Sequence, residues 1–518
     1  MSATVAPQPG HGPGSGPASG KAARAGAREW AGLAVLALPT LLLSLDNTVL
    51  FLALPHLGED LRPGPTQLLW IMDVYGFMMA GFLVTMGTLG DRIGRRRLLV
   101  TGAAAFGAAS ALAAYAPTAE ALIAARVLLG VTGATLMPSA LALISTMFRD
   151  ERQRTLAIGV FTGCFMGGAA LGPIVGGALL ESFWWGSVFL IGVPVMLLLL
   201  ITAPLLLPES RDPGAGRVDP PGVALSLLAI LPFIYGLKEI AKDPAQPLAY
   251  AALAAGALFG TLFVRRQRTV PHPLLDLRLF RRRSFSAALV IVLFGMVVQG
   301  GVYLFASQYL QSVEGLSPLR SGLWLALPTL ALVAGSLLSP LAARRIRPGT
   351  LIAAGLVTAA AGFLLMAAAD GPAALISGMT VGFLGTAPVG ALGIGLIVGS
   401  APQEKAGAAS AVAETSGEFG IALGVAVLGS AGTAAYRALL DVPAEAPPEA
   451  ETAARESVGG AVTAAEGLPS PLAGQLLDNA KEAFMSGLGV TALISTVLVL
   501  ALAALAAALL RHQPPIGR

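Results

Sequence analysis

The chain has 518 residues, 55% of them hydrophobic and only 12% charged, a balance far from that of an average soluble domain. Its net charge of +4 comes from arginines set in short clusters between apolar runs, which is the pattern of a membrane topology signal and argues against nucleic acid as a partner. The single cysteine, Cys164, excludes an internal disulfide or a cysteine metal cluster, and the four histidines show no metal-ligand spacing.

Residues 1–30 are rich in Gly, Pro, Ala and Ser and lack an apolar segment before a cleavage site, so they read as a disordered cytoplasmic tail. Apolar runs of about 17–28 residues then recur, enough for about fourteen membrane helices. The predicted spans are 31–55, 68–90, 98–116, 119–147, 155–180, 185–207, 221–240, 247–264, 285–310, 319–340, 350–369, 372–400, 408–435 and 484–510. Arginine clusters alternate with poorly charged connections, which places both termini in the cytoplasm. Ser339–Gly349 repeats the basic turn Gly87–Arg97 two helices into the second half. The fold class expected is therefore all-α membrane: a six-helix half at 31–207, an extra helix pair at 221–264 and a second six-helix half at 285–511. The connection 436–483 is expected outside, either as a plain acidic helical hairpin or as a gate.

Several motifs carry chemistry, in chain order. The first span contains Leu45-Asp46-Asn47-Thr48-Val49 followed by Ala53-Leu54-Pro55, and a carboxylate this deep calls for a partner or a function. The second span opens Trp70-Ile71-Met72-Asp73-Val74-Tyr75; Asp73 is either a solvated helix end or part of a shared cluster. The turn Gly87-Thr88-Leu89-Gly90-Asp91-Arg92-Ile93-Gly94-Arg95-Arg96-Arg97 cannot lie in hydrocarbon. The fourth span holds Arg126, with Gly130 and Gly133 behind it; Arg126 either fixes packing through a buried ion pair or tunes a carboxylate. Counted at about 1.5 Å per residue, Asp46, Asp73 and Arg126 reach similar depths and should form one polar cluster.

The fifth span carries Gly167-Gly168 and then Gly172-Pro173-Ile174-Val175-Gly176-Gly177, small residues that permit close helix approach and a proline that frees a carbonyl. The thirteenth carries Glu414 and Glu418, four residues apart and hence on one face. Two carboxylates so placed do not both ionise easily in a low dielectric, which suits proton exchange.

These motifs resemble the major facilitator superfamily. The Gly87–Arg97 turn meets its loop pattern G-x-L-x-D-R-x-G-R-[RK]-[RK], and Gly168 to Gly177 looks like the antiporter motif of its drug exporters. The Asp46 segment is similar to the L-D-x-T-V-x-x-x-A-L-P signature of the fourteen-helix drug:proton antiporters, closest to the quaternary-ammonium exporters. The resemblance implies proton-coupled efflux of lipophilic cations across the bacterial inner membrane. Asp46, Asp73, Glu414, Glu418 and Arg126 would handle protons and cation, and Gly87, Gly90, Asp91, Arg92, Gly94, Arg95 and Arg96 would control conformation. It implies no enzyme activity, no metal, no cofactor beyond the proton gradient, and a monomer in the bilayer. A dedicated exporter of one endogenous antibiotic and a non-pumping receptor remain alternative readings.

Overall fold

The computed structural model describes residues 25–211, 219–242, 246–270, 273, 277–400, 406–511 and 513. The side chains of Asn47, Asp91, Arg152 and Lys238 lie outside what it describes.

All regular structure among the described residues is helical, as a chain that must satisfy its backbone inside hydrocarbon requires. The elements are α1 (Ala27–Leu61), α2 (Pro65–Ile93), α3 (Arg95–Ala114), α4 (Ala119–Met147), α5 (Glu151–Ser182), α6 (Ser187–Leu190) and α7 (Gly192–Leu206). Then come α8 (Pro220–Lys242), α9 (Pro247–Thr269), α10 (Arg283–Gln308) with a π turn at Tyr309–Val313, α11 (Pro318–Ala342), α12 (Pro348–Ala367) and α13 (Pro372–Gly399). The chain finishes with α14 (Ala406–Leu439), the short α15 (Pro448–Glu456) and α16 (Val458–Glu466), and α17 (Ser470–Leu509). Pro65, Pro247, Pro318, Pro348 and Pro372 sit in first turns, where a missing N–H costs nothing. Thr118 and Asp150 cap α4 and α5 by accepting from Ala121 and Gln153 N–H groups.

Among the described residues, thirteen helical stretches are long and apolar enough to cross a bilayer, with α6 and α7 sharing one span and the π turn continuing α10. Helix α8, 23 residues long, stands where the remaining span was expected, with a shorter apolar part from Pro220 to Phe233. The chain is thus a multi-pass membrane protein of two six-helix halves with the α8–α9 hairpin inserted between them. Two boundaries differ from expectation. Helix α1 begins at Ala27, inside the segment expected as tail, because Ala27 to Ala31 carry nothing that breaks a helix. Helix α17 starts fourteen residues before 484, since Asp478, Lys481 and Glu482 are compatible with a solvated helix; its 40 residues span about 60 Å, twice a bilayer core.

Both described termini and the Gly94 turn lie at one end of the bundle, the terminal end; α15 and α16 lie at the other, the hairpin end. At the hairpin end Tyr436 Oη donates to Ala454 O at 2.7 Å and Arg437 Nε to Arg455 O at 3.1 Å, fastening α15 to α14. Helix α8 covers the seam between α2 and α14: Ile230 and Leu231 pack on Phe77, Ala422 and Ala426, beside Phe419. At the terminal end a bidentate ion pair from Arg266 to Asp219, with Nε 3.0 Å from both carboxylate oxygens, joins α9 to the start of α8.

The second seam, α5 against α11, is closed at one end only. Gly177 lies so near Pro318 and Leu319 that an added Cβ would stand 2.6 Å from Pro318 O, and a Cβ on Gly322 would collide with Pro173 O. On the same face of α5, toward the terminal end, Gly159 and Gly163 meet open space. The matching face of α11 exposes Leu337 and Pro340. The halves therefore meet at the hairpin end and part toward the terminal end.

Candidate functional site

The antiporter-like segment of α5 divides its glycines between two neighbours. Gly168, Gly172 and Gly176, spaced four apart, press on Leu41, Thr48 and Val49 of α1, whereas Pro173 and Gly177 press on α11 of the other half. One motif therefore sets both the packing of a half and the closure between halves.

Arg126 is the centre of the polar site. It reaches α2 because Gly130, one turn on, lets α4 come close; a Cβ there would stand 2.5 Å from Tyr75 O. Its Nη1 donates to Asp46 Oδ2 at 2.8 Å, its Nε to Ile71 O at 3.0 Å and its Nη2 to Met72 O at 3.4 Å. The guanidinium also lies over the Tyr75 ring, 4.5 Å from its centroid. Arg126 is 2% exposed, Asp46 8% and Asp73 1%. Asp73 is thus no solvated helix end: α2 begins eight residues earlier, at Pro65, and carries Asp73 inside the bundle.

A small cavity opens beside this ion pair. It is lined by Asp73, Tyr75, Gly76 and Arg126 from one half and by Glu418, Ile421 and Ala422 from the other. Its volume of about 20 Å³ has room for about one water, so no drug-sized molecule fits while the hairpin end is closed. The structure thus brings together Asp46, Asp73 and Arg126, as their depths suggested, and sets Glu418, expected in the same functional set, beside Asp73. Sequence spacing paired Glu418 only with Glu414. What it missed is that α14 packs on α2 with Glu418 O against Gly76, a relation between halves that no local pattern carries. Glu414 lies one turn nearer the terminal end and lines no part of that cavity. A larger cavity, about 130 Å³, lies toward the hairpin end between Leu54, Thr66, Phe305, Tyr436 and Phe484, and Met72 lines both. Tyr75 reaches the acidic cavity, Phe77 packs on Phe419, and Trp324 of α11 is exposed.

The basic turn is held by a residue the sequence did not single out. Gly94 takes φ +111°, open to glycine, and its N–H bonds Gly90 O at 2.9 Å. Arg95 N–H donates to Ser210 O at 2.9 Å, Arg96 N–H to Glu209 Oε1 at 3.2 Å, and Arg96 Nη1 to Leu207 O at 3.0 Å. Glu209 thus ties the turn to the end of α7. Gly87 and Gly90 lie in the last turns of α2 and Arg92 is exposed; the Asp91 side chain lies outside the described residues.

Two helical halves, a seam between them closed at one end and an ionisable cavity where they meet are the architecture of a membrane transporter. The chain belongs to the Major Facilitator Superfamily, whose family model matches residues 36–425. It is 49% identical to the multidrug efflux pump LfrA of Mycolicibacterium smegmatis, over 92% of this chain and 95% of that one. It is 36% identical to the methyl viologen resistance protein SmvA of Salmonella typhimurium, over 88% and 93%. Among solved structures it resembles a bacterial homologue of the human lysosomal transporter Spinster in an inward-facing, occupied conformation. That likeness has a TM-score of 0.65 at 17% identity over 93% and 97% of the chains, and shows the fold.

Proposed function

We propose that this protein exports lipophilic cations from the cytoplasm in exchange for protons. The observation that carries the reading is the acidic cavity. Asp73 and Glu418 approach it from opposite halves, beside the ion pair of Arg126 with Asp46. Carboxylates gathered in a buried cavity bind either a cation or a proton, and a site that holds one or the other is what exchange needs. The names of LfrA and SmvA support drug export. Arginines at the terminal end, among them Arg95, Arg96, Arg97, Arg344, Arg345 and Arg347, support a cytoplasmic assignment for that end, with residues 1–30 as a tail and α15–α16 outside.

On this assignment the open α5–α11 face admits substrate from the inside. A cation meets Glu414 first and then the Glu418–Asp73 region as the halves part there. Proton release from a carboxylate balances the incoming charge. Once the outer side opens, external protons neutralise the acids and the drug leaves. The test is efflux of a fluorescent cation from cells, together with drug-induced proton movement in inverted vesicles. Wild-type protein should show both and Asp73→Asn neither. Drug efflux without proton movement would remove the coupling from the proposal; no efflux of any cationic, neutral or anionic compound would remove the whole.

A further inference from the structure

Helix α1 contains Pro55, which has no N–H to return to the carbonyl four residues earlier. That carbonyl belongs to Phe51, in the buried outer third of the helix, away from bulk water. The partner it finds comes from the other half of the molecule. Ser307 of α10, 0% exposed, donates its Oγ hydrogen to Phe51 O at 2.9 Å. The Phe51 ring packs edge-on against Tyr303, one helical turn from Ser307, with centroids 4.9 Å apart. Just beyond Ser307 the helix passes into the π turn Tyr309–Val313, which brings Gln311 Nε2 within 3.4 Å of the same hydroxyl. The hydroxyl therefore receives from Gln311 and gives to Phe51, and its orientation is fixed from both sides. Phe51 also lines the acidic cavity, and Asp46 lies five residues earlier on the same helix.

We propose that Ser307 is a positioning residue for transport: its bond to the carbonyl released by Pro55 is a latch between the halves that holds the outer side closed. This rests on the alternating-access reading above. Each group has a second partner when the halves part. The Phe51 carbonyl then faces water entering the outer cleft, and the Ser307 hydroxyl turns to the carbonyl one turn back in its own helix, as serines in helices do. Both states are satisfied, so the latch biases the equilibrium without locking it. The helix-interrupting proline of the first span thereby gains a physical task, which is to supply a backbone acceptor across the seam.

The experiment uses full-length Cys164→Ala protein in nanodiscs with spin labels at Glu59→Cys and Arg320→Cys, exposed outer positions on opposite halves. Distances are read without drug or proton gradient, so the outcome is independent of whether export is confirmed. Ser307→Ala should raise the long-distance, outward-open population relative to the closed one by roughly two- to tenfold, the worth of one net hydrogen bond. Pro55→Ala supplies the missing N–H from within α1, so Phe51 O no longer depends on Ser307. In that background Ser307→Ala should add little, and the two substitutions should be non-additive. An unchanged distance distribution in Ser307→Ala, even with a lowered melting temperature, would overturn the latch. So would a full Ser307→Ala effect in the Pro55→Ala background.

Discussion

Arg126 Nη1 lies 2.8 Å from Asp46 Oδ2, and the guanidinium spends its remaining reach on two backbone carbonyls of α2. The pair is buried, so removal of either partner leaves something uncompensated, but the two removals are not equal. Asp46→Asn leaves Arg126 with Ile71 O, Met72 O and the Tyr75 ring. Arg126→Ala leaves a buried carboxylate with no cation beside it, a loss of about 3–5 kcal/mol for a broken buried pair.

The first prediction follows from that asymmetry. Arg126→Ala should lower the melting temperature strongly and reduce the folded yield, while Asp46→Asn should remain folded and lose cation export. Combining Asp46→Asn with Arg126→Gln should restore folding without restoring export. Size-exclusion profiles and melting curves in detergent, beside whole-cell efflux, check this. A folded, stable Arg126→Ala protein would show that the pair does not carry the packing of α1, α2 and α4.

The second concerns the closed seam. Gly322 faces Pro173 O so closely that a single added methyl collides with backbone, which cannot swing aside as a side chain can. Gly322→Ala should therefore impair closure at the hairpin end and cut efflux by roughly tenfold or more, the effect of a misfit of about 1–3 kcal/mol. Gly163→Ala, on the open face of α5, should be tolerated in the state seen here. Equal, near-normal efflux in both would mean that the α5–α11 contact does not need its present closeness.

Much of the architecture was legible in the sequence because the membrane leaves little choice. Apolar runs become helices, and clusters such as Arg95–Arg97 mark where they end. The Asp46–Arg126 relation was also readable, since depth follows from counting residues along neighbouring spans. Glu418 was readable as a site residue, but its place beside Asp73 was not, because that depends on how two halves dock, and docking leaves no periodic trace in either helix. Glu209 escaped for a different reason. It sits in an irregular stretch after α7, where a lone acid looks like any surface charge until Arg95 and Arg96 are seen to bind that segment.

The third prediction uses pH as a probe of the inserted hairpin. Hydrogen bonds from Arg266 hold the Asp219 carboxyl below the usual carboxylate range. A group whose acidity is raised by folding stabilises the fold above its unfolded pKa, near 3.9, and loses that contribution as pH falls through the lower folded value. Asp219→Asn should therefore melt earlier than wild type at pH 7, and the gap should close as pH falls below about 4. A gap that persists undiminished in acid would assign the effect to packing of the α8 start instead of to charge.

The last prediction separates Asp73, Glu418 and Glu414. Asp73 and Glu418 line one cavity with room for about one water, so a drug reaches them only as the halves part, whereas Glu414 stands a turn closer to the open, terminal side. If cations meet Glu414 first, Glu414→Gln should weaken binding from the inside for every cation tested and leave neutral compounds unaffected. Asp73→Asn and Glu418→Gln should bind cations at the entrance yet fail to complete exchange, so that efflux falls further than affinity does. For wild type, cation binding should weaken as pH falls, because protons and cation compete for the same oxygens. In Glu414→Gln one competing site is gone and the pH dependence should flatten. Binding titrations from pH 5 to pH 8 with one cationic and one neutral fluorophore, paired with efflux rates, read all three outcomes. Identical losses for cationic and neutral compounds in all three variants would show that these carboxylates shape the cavity but do not recognise charge.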